Sequence, residues 1–134
     1  MGVTLCTIVI HGIALISIVH FLRYVRSSGR AGVRFWSDVA IVGVITTLAL
    51  LAHLVETAAW ALVFIICGEF TCFATALCHS AVNYTSLGYG DIIMTKSWRL
   101  MGPLEAADGL LMFGVSTAML FAVIQRLLET RLHD

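Results

Sequence analysis

The sequence predicts an all-α membrane protein with three transmembrane helices and one shorter, re-entrant helix. Of its 134 residues, 60% are hydrophobic and only 12% are charged, and the mean hydropathy of +0.97 lies far above that of soluble domains. Three stretches are long enough to cross a hydrocarbon core of about 30 Å. A fourth apolar stretch ends in polar residues and glycines, which excludes a lipid-facing helix there.

The first two spans lie on either side of an arginine-rich connection. The stretch Leu5–Phe21 contains no Asp, Glu, Lys or Arg. It has neither a basic leader nor a small-residue cleavage site, so we interpret it as a permanent span and not as a signal peptide. The second predicted helix covers residues 38–67, with Ser37 or Asp38 as its N-cap.

The third span and the re-entrant helix complete the predicted organisation. The third span covers residues 103–128 and has Pro103 in its first turn, where the missing N–H costs nothing. The re-entrant helix covers residues 70–85. We therefore divide the chain into an N-terminal helix with its arginine-rich loop, residues 1–36, and a second unit, residues 37–134.

The basic residues predict the orientation of the chain in a plasma or bacterial inner membrane. Four arginines follow the first span and two follow the third: Arg23, Arg26, Arg30, Arg34, Arg126 and Arg131. Basic connections stay in the cytoplasm, so the N-terminus is expected outside and the C-terminus inside. Serines and glycines interrupt the first four arginines, which favours a loop in contact with anionic lipid headgroups over a voltage sensor.

The stretch "NYTSLGYGDI", Asn83–Ile92, is unusual in so apolar a chain. Non-helical backbone is tolerated at membrane depth only where protein buries it or where it lines a water-filled path. Gly88 and Gly90 permit positive φ, so successive carbonyls can turn toward one axis, which ordinary L-residues resist. Carbonyls aimed at one axis, together with the C-terminal dipole end of a short helix, favour a cation.

The motif "TSLGYGD", Thr85–Asp91, resembles the selectivity filter of potassium channels, whose common form is Thr-Val-Gly-Tyr-Gly-Asp. The order of span, pore helix, filter and span is similar as well. The third span contains "GLLMFGVSTA", Gly109–Ala118, which resembles the inner helix of simple bacterial potassium channels. The two resemblances cover about Val39–Leu128 and leave the first span outside.

The resemblance implies a homotetramer in which each chain contributes one strand of a K⁺ filter. The filter residues are Thr85, Ser86, Leu87, Gly88, Tyr89 and Gly90. The resemblance implies that K⁺ binds the carbonyls of Ser86, Leu87, Gly88 and Tyr89, with the Ser86 hydroxyl at the inner end. It implies no organic cofactor.

The same resemblance assigns roles around the filter. Asp91 is expected at the outer mouth, where its charge concentrates cations. Four residues of the third span are expected to form the hinge and the cavity lining: Gly109, Gly114, Phe113 and Thr117. The chain departs from the family pattern at Ser86, where threonine is usual, and at Val82, where some channels have a glutamate that braces the filter aspartate. Trp98 or another group would then supply the brace for Asp91.

Ionisable residues inside the apolar stretches predict a buried polar network behind the filter. Its members are His53, Glu56, His79, Glu105 and Asp108. A local hydrogen bond that satisfies His53 and Glu56, which lie three apart on one helical face, is an equally good interpretation. Histidines and carboxylates also raise the possibility of a metal site, but no ligand spacing typical of hydrolases or zinc fingers is present. Cys67 and Cys72 could form a disulfide, or all four cysteines could be separate thiols.

Three classes of function agree with these observations. The first is a K⁺-selective channel that conducts passively as a homotetramer. The second is a less selective cation channel, because Ser86 lacks the methyl group that helps to pack the inner filter. The third is a non-conducting membrane subunit with the same fold. The sequence contains no nucleophile elbow, phosphate loop or basic nucleic-acid patch, so we expect neither an enzyme nor a nucleic-acid partner. The first helix could pack on its own subunit or reach a neighbour.

Overall fold

Four α-helices make up the computed structural model, which describes residues 2–28 and 35–133. The helices are α1 (Gly2–Ser27), α2 (Phe35–Ile66), α3 (Phe73–Tyr84) and α4 (Met101–His133). Three stretches, Gly2–Ser27, Phe35–Ile66 and Met101–Leu132, are long and apolar enough to cross a membrane. The described residues contain no strand. The prediction of an all-α membrane protein with three spans is confirmed.

The helix α1 extends beyond the predicted span at both ends. Arg23 and Arg26 lie in its last turns and not in a loop. Cationic side chains there favour the negative end of the helix dipole, and their long stems reach toward water along the apolar surface. The predicted lipid contacts of Arg30 and Arg34 lie outside the described residues.

A glycine cap ends α2 and sets the start of α3. Gly68 has a φ of +79°. Its N–H donates to the carbonyl of Ile65 at 2.9 Å, and the N–H of Glu69 donates to that of Phe64 at 3.0 Å. This pair of bonds satisfies the final carbonyls of α2 and prevents its continuation. The chain then turns, so α3 begins at Phe73 and not at position 70 as predicted.

Helices α1 and α3 each contact both α2 and α4. The helix α1 therefore packs against the other helices of its own chain. Its buried residues, Thr7, His11, Ile18 and Val25, form one stripe along the helix. This stripe brings two polar side chains from outside the predicted channel unit into the interior.

The bundle divides into two halves with different interiors. The filter half comprises residues 2–14 and 50–117, and the basic half comprises residues 15–28, 35–49 and 118–133. The apolar core of the filter half is formed by Trp60, Phe64, Tyr84, Met94 and Met112. The core of the basic half is formed by Ile18, Val25, Ile41, Ile45 and Val123.

Candidate functional site

The segment that follows α3 is folded back over the end of that helix by backbone hydrogen bonds. The N–H of Ser86 donates to the carbonyl of Asn83 at 2.8 Å. The N–H groups of Leu87 and Gly88 both donate to the carbonyl of Val82, at 2.9 and 3.2 Å. The end of α3 therefore holds the start of the filter segment, residues 85–90, in a fixed position.

The backbone of the filter segment has positive φ at every second residue. The φ values are +58° at Ser86, +60° at Gly88 and +73° at Gly90. In an ordinary strand, successive carbonyls point to opposite sides. When every second residue has a positive φ, the backbone turns at those residues. The carbonyls of successive residues can then all point to the same side. The predicted geometry of a carbonyl-lined path is therefore available to this backbone.

Glycine is required in this segment by the backbone conformation and not by a lack of room for a side chain. A Cβ at Gly88 or Gly90 would have no other atom within 4 Å, yet their positive φ would cost an L-residue roughly 1–2 kcal/mol. Ser86 already adopts such a conformation, and strain of this kind is typical of functional sites. The side chains of Leu87 and Tyr89 are 57% and 72% exposed, so a single chain leaves the filter segment uncovered. Asp91 is exposed as well.

The filter segment is supported from behind by a close contact between α3 and α4. A Cβ at Gly109 would collide with the carbonyl of Tyr84 and would lie 3.2 Å from its ring. The Tyr84 side chain is buried, and its ring lies 5.6 Å from that of Phe113. A glycine inside a helix costs about 1 kcal/mol relative to alanine, and here it permits this approach. Gly109, predicted as a hinge, thus has a packing role in the structure.

A group of buried polar residues connects the support to α1. We call His11, His53, Glu56, Tyr84 and Ser116 the His–Glu cluster. Glu56 accepts from Tyr84 and lies 2.9 Å from His11 Nδ1 and 3.3 Å from His53 Nδ1. The Nε2 atoms of the two histidines lie 3.2 and 3.1 Å from the same Ser116 Oγ. The four side chains other than Tyr84 form a closed ring.

The ring requires four hydrogens if every contact is to be a hydrogen bond. Each contact between Glu56 and an Nδ1 needs one hydrogen, carried by the histidine nitrogen or by the carboxyl group. The Ser116 hydroxyl has one proton and can donate to only one Nε2, so the other Nε2 must donate to Ser116. Four hydrogens leave the ring without net charge. Buried polar groups that are all satisfied in this way are tolerated in an apolar interior.

Comparison with known proteins identifies the family. The family model described as "Ion channel" matches residues 50–126, which is more than half of the chain. The chain belongs to this ion channel family. No curated protein and no solved structure was found to match it. The match covers the second part of α2, all of α3, the filter segment and most of α4, so α1 of this channel lies outside it.

Two further carboxylates of the channel are buried beside the cluster. Asp108 Oδ2 accepts from Thr7 Oγ1 at 2.7 Å and from Trp60 Nε1 at 2.9 Å. Glu105 accepts from Ser80 of α3. The network predicted from the sequence is therefore divided: Glu56 meets His53 as expected, while each of the other two carboxylates has its own partners from different helices.

His79 of the channel is placed away from Glu56 and Asp108, with which it was expected to interact. Its Nε2 lies 2.9 Å from Asn83 Nδ2, and its ring packs 5.1 Å from Phe70 and 5.4 Å from Phe64. The brace of Asp91 by Trp98 or another group, expected from the sequence, stays a prediction.

The inner-helix residues of the channel face different surroundings. Phe113 is half-buried and stacks on His53 with ring centroids 4.2 Å apart. Thr117 is exposed and donates to the carbonyl of Phe113 at 2.8 Å. A Cβ at Gly114 would meet no other atom within 4 Å. His53, Phe113, Ser116 and Thr117 contribute to the wall of a cavity of about 190 Å³, which places the His–Glu cluster next to the expected cavity lining.

The loops around the filter half are joined by the half-buried carboxylate of Glu69. Glu69 Oε2 accepts from the backbone N–H of Thr95 at 2.8 Å, and its Oε1 accepts from the Thr95 hydroxyl at 2.5 Å. These bonds link the segment before α3 to the segment after the filter. The four cysteines are free thiols. Backbone N–H groups of Thr75 and Ala74 lower the pKa of the exposed Cys72 thiol.

Several residues of the site were missed by the sequence analysis. The partners of the predicted ionisable residues are Thr7, His11, Trp60, Ser80, Tyr84 and Ser116. Only His11 carried a usable signal, because an ionisable side chain in the middle of a membrane span is a functional candidate by default. The others are ordinary residues in apolar helices, and only the packing of the helices brings them to the carboxylates.

Proposed function

We propose that this channel conducts K⁺ in preference to Na⁺ as a homotetramer, with residues 85–90 as its filter. The alternation of positive φ at Ser86, Gly88 and Gly90 is the observation that carries the proposal. A dehydrated ion needs nearly its full coordination returned, and stacked rings of carbonyls can do this while neighbouring ions repel one another onward. K⁺ is the transported ion in this proposal, and Ser86, Leu87, Gly88 and Tyr89 supply its ligands.

Exposed apolar side chains support the tetramer. One chain supplies one strand, so a ring of carbonyls needs further copies. Leu87 and Tyr89 are exposed beside the filter backbone, and a face of α4 is exposed at Leu104, Leu111, Val115 and Phe121. Neighbouring subunits would cover these residues and hold four filter strands around one axis. Tyr89 would then pack behind the filter, and Asp91 would face its mouth.

The orientation of the channel follows from its basic half. Arg23, Arg26, Arg126 and Arg131 belong to that half, so it faces the cytoplasm and the anionic headgroups there. The filter half and the N-terminus then face outside. Arg131 is joined to Asp38 at 2.6 Å, which connects the cytoplasmic ends of α4 and α2.

Ser86 favours a second candidate, a less selective cation channel. Its side chain lacks the methyl group of threonine, and its left-handed backbone places it under strain at the inner end of the filter. A filter that is packed less tightly at this point would hold a fixed K⁺-sized site less strictly. The two candidates share the pore and differ only in the ratio of K⁺ to Na⁺ flux.

Reconstitution into liposomes tests both candidates. Purified channel is placed in vesicles with a K⁺ or a Na⁺ gradient, and flux is measured over a range of voltage and pH. The proposal expects K⁺ flux well above Na⁺ flux and a tetramer by mass measurement in detergent. Equal fluxes of the two ions would replace the selective channel with the less selective one. Absence of any flux would favour a non-conducting membrane subunit.

A further inference from the structure

The His–Glu cluster has the composition and geometry of a metal site. His11, His53 and Glu56 are buried, and their ligand atoms all lie within 4.8 Å of one another. They come from two helices, and His11 lies outside the region that matches the family. We propose that these three residues bind one divalent transition-metal ion of the Zn²⁺ class in each subunit.

The distances within the cluster fit a tetrahedral site. Zn²⁺ binds histidine nitrogen and carboxylate oxygen at about 2.0–2.2 Å, so two ligands of one ion lie about 3.3 Å apart. His11 Nδ1 lies 2.9 Å from Glu56 Oε1, and His53 Nδ1 lies 3.3 Å from Glu56 Oε2. The Tyr84 hydroxyl oxygen lies 3.2 Å from His53 Nδ1. Since the three ligand atoms lie within 4.8 Å of one another, small side-chain rotations bring them around one ion, and the fourth position falls to Tyr84 or to a water.

Ser116 provides the outer support that such a site needs. A histidine that binds a metal usually donates its other ring N–H to an oxygen, which fixes the tautomer and the ring plane. Both Nε2 atoms face Ser116 Oγ, at 3.1 and 3.2 Å. With the metal on the two Nδ1 atoms, each Nε2 carries a hydrogen and donates it to Ser116. The ring then holds three hydrogens in place of four, so binding releases one proton for each ion.

A buried carboxyl group with an unsatisfied oxygen lies on the same side of α1 as the cluster. A divalent ion with one carboxylate has a net charge of +1, which is costly in an apolar interior. Asp108 is bound by Thr7, one helical turn before His11 on the same face of α1. Asp108 Oδ1 is buried and has no hydrogen-bond partner among the described residues, so this side of the cluster offers a further oxygen acceptor to an ion or to a water bound to it.

The cavity of about 190 Å³ lies against one side of the cluster. Its wall includes His53 and Ser116 from the cluster and the exposed Thr117 of α4. An ion bound by His11, His53 and Glu56 would join α1 directly to α2 and so tie the N-terminal helix to the channel.

The test measures Zn²⁺ binding to the purified channel in detergent after treatment with a chelator. Equilibrium dialysis with elemental analysis should give one ion per chain, and a weakly buffered solution should record one proton released per ion. His11→Gln, His53→Gln and Glu56→Gln should each weaken binding by at least about tenfold. His20→Gln and His79→Gln are matched controls and should leave binding unchanged. Size-exclusion chromatography shows whether each variant keeps the assembly of the wild type.

A second variant identifies the site even where a glutamine variant fails to assemble. His11→Cys replaces a nitrogen ligand with a thiolate that also binds Zn²⁺. It should retain tight binding, and with Co²⁺ as the probe it should add a thiolate charge-transfer band that the wild type lacks. A thiolate band in wild-type protein, or equal losses in the control and cluster variants, would assign the metal to the free cysteines or the surface. Absence of binding to the wild type would overturn the proposal outright.

Discussion

The filter half and the basic half of the bundle differ in what they bury. The filter half buries nine polar side chains: Thr7, His11, His53, Glu56, Thr57, His79, Ser80, Glu105 and Asp108. The basic half buries none among the described residues, and its helices meet through aliphatic side chains. Its only described ion pair, between Asp38 and Arg131, is partly exposed.

This difference has a physical consequence in a membrane. Lipid tails are as apolar as leucine, so aliphatic contacts between helices gain little from the hydrophobic effect there. Hydrogen bonds fix the register of helices because a shift would leave polar groups unsatisfied in hydrocarbon. The helices of the filter half are therefore held in one arrangement, while those of the basic half can shift against each other at lower cost. One sequence therefore gives a rigid support for the filter segment and a more adaptable basic half.

Gly88→Ala is expected to have the largest effect, which is the loss of K⁺ flux. The substitution adds no steric clash within the chain, but the φ of +60° costs an L-residue about 1–2 kcal/mol in each of four subunits. The backbone should leave its carbonyl-lined geometry, and K⁺ flux into liposomes should fall to that of empty vesicles. The tetramer should persist, because the helices are unchanged.

Gly43→Ala is the matched control for that substitution. Gly43 lies in α2 within the basic half, and a Cβ there would meet no atom within 4 Å. Alanine in a helix is favoured over glycine by about 1 kcal/mol, so flux should remain and thermal stability should hold or rise. Full K⁺ flux through Gly88→Ala would show that residues 85–90 are not the filter.

Gly109→Ala should have the next largest effect, on the support behind the filter. Its Cβ would collide with the Tyr84 carbonyl, and overpacking of this kind typically costs 1–3 kcal/mol. The contact between α3 and α4 should open, lowering both the thermal stability of the tetramer and the K⁺ flux. Gly114→Ala, one turn further along and facing open space, should keep the stability of the wild type. If the two variants melt alike, the close contact of Gly109 with Tyr84 does not stabilise the tetramer.

These glycines also show how far the sequence predicts the site. The filter is a contiguous motif whose conformation depends on its own glycines, so Gly88 and Gly90 are recognised without a structure. The three spans are likewise predicted because hydropathy is a local property. The contact of Gly109 with Tyr84 depends on how α3 packs against α4, and no local sequence pattern predicts it.

The buried network was harder to predict for the same reason. Glu56 and His53 lie on one helical face and were grouped correctly in space. His11 is 45 residues away from Glu56, and their contact depends on the register between two uniformly apolar helices. His79 was expected with Glu56 and Asp108 because α3 had to pass near them. Its side chain instead packs against Phe64 and Phe70.

Thr7→Val tests whether polar contacts fix α1 in the filter half. The substitution keeps the shape of the side chain but removes the hydrogen bond to Asp108, leaving that carboxylate with Trp60 alone. Interhelical hydrogen bonds in membranes are worth about 0.6–2 kcal/mol, so the tetramer should melt at a lower temperature. Thr47→Val is the control, because Thr47 is exposed and its hydroxyl donates to the carbonyl of Gly43 in its own helix. Equal melting of both variants would remove the distinction between the halves.

The smallest predicted effect is a difference in the labelling rates of two cysteines. It tests on which side of the membrane each half lies. Cys72 is an exposed thiol at the start of α3, and its pKa is lowered by backbone N–H groups of Thr75 and Ala74. A lowered pKa gives more thiolate at neutral pH, and the thiolate is the form that reacts with maleimides. A membrane-impermeant maleimide added to intact cells should therefore label Cys72 faster than the half-buried Cys67, without any loss of stability. Cys72→Ser should abolish the fast phase, and Cys67→Ser should leave it in place. A fast phase seen only after the membrane is opened would reverse the orientation and place the filter half in the cytoplasm.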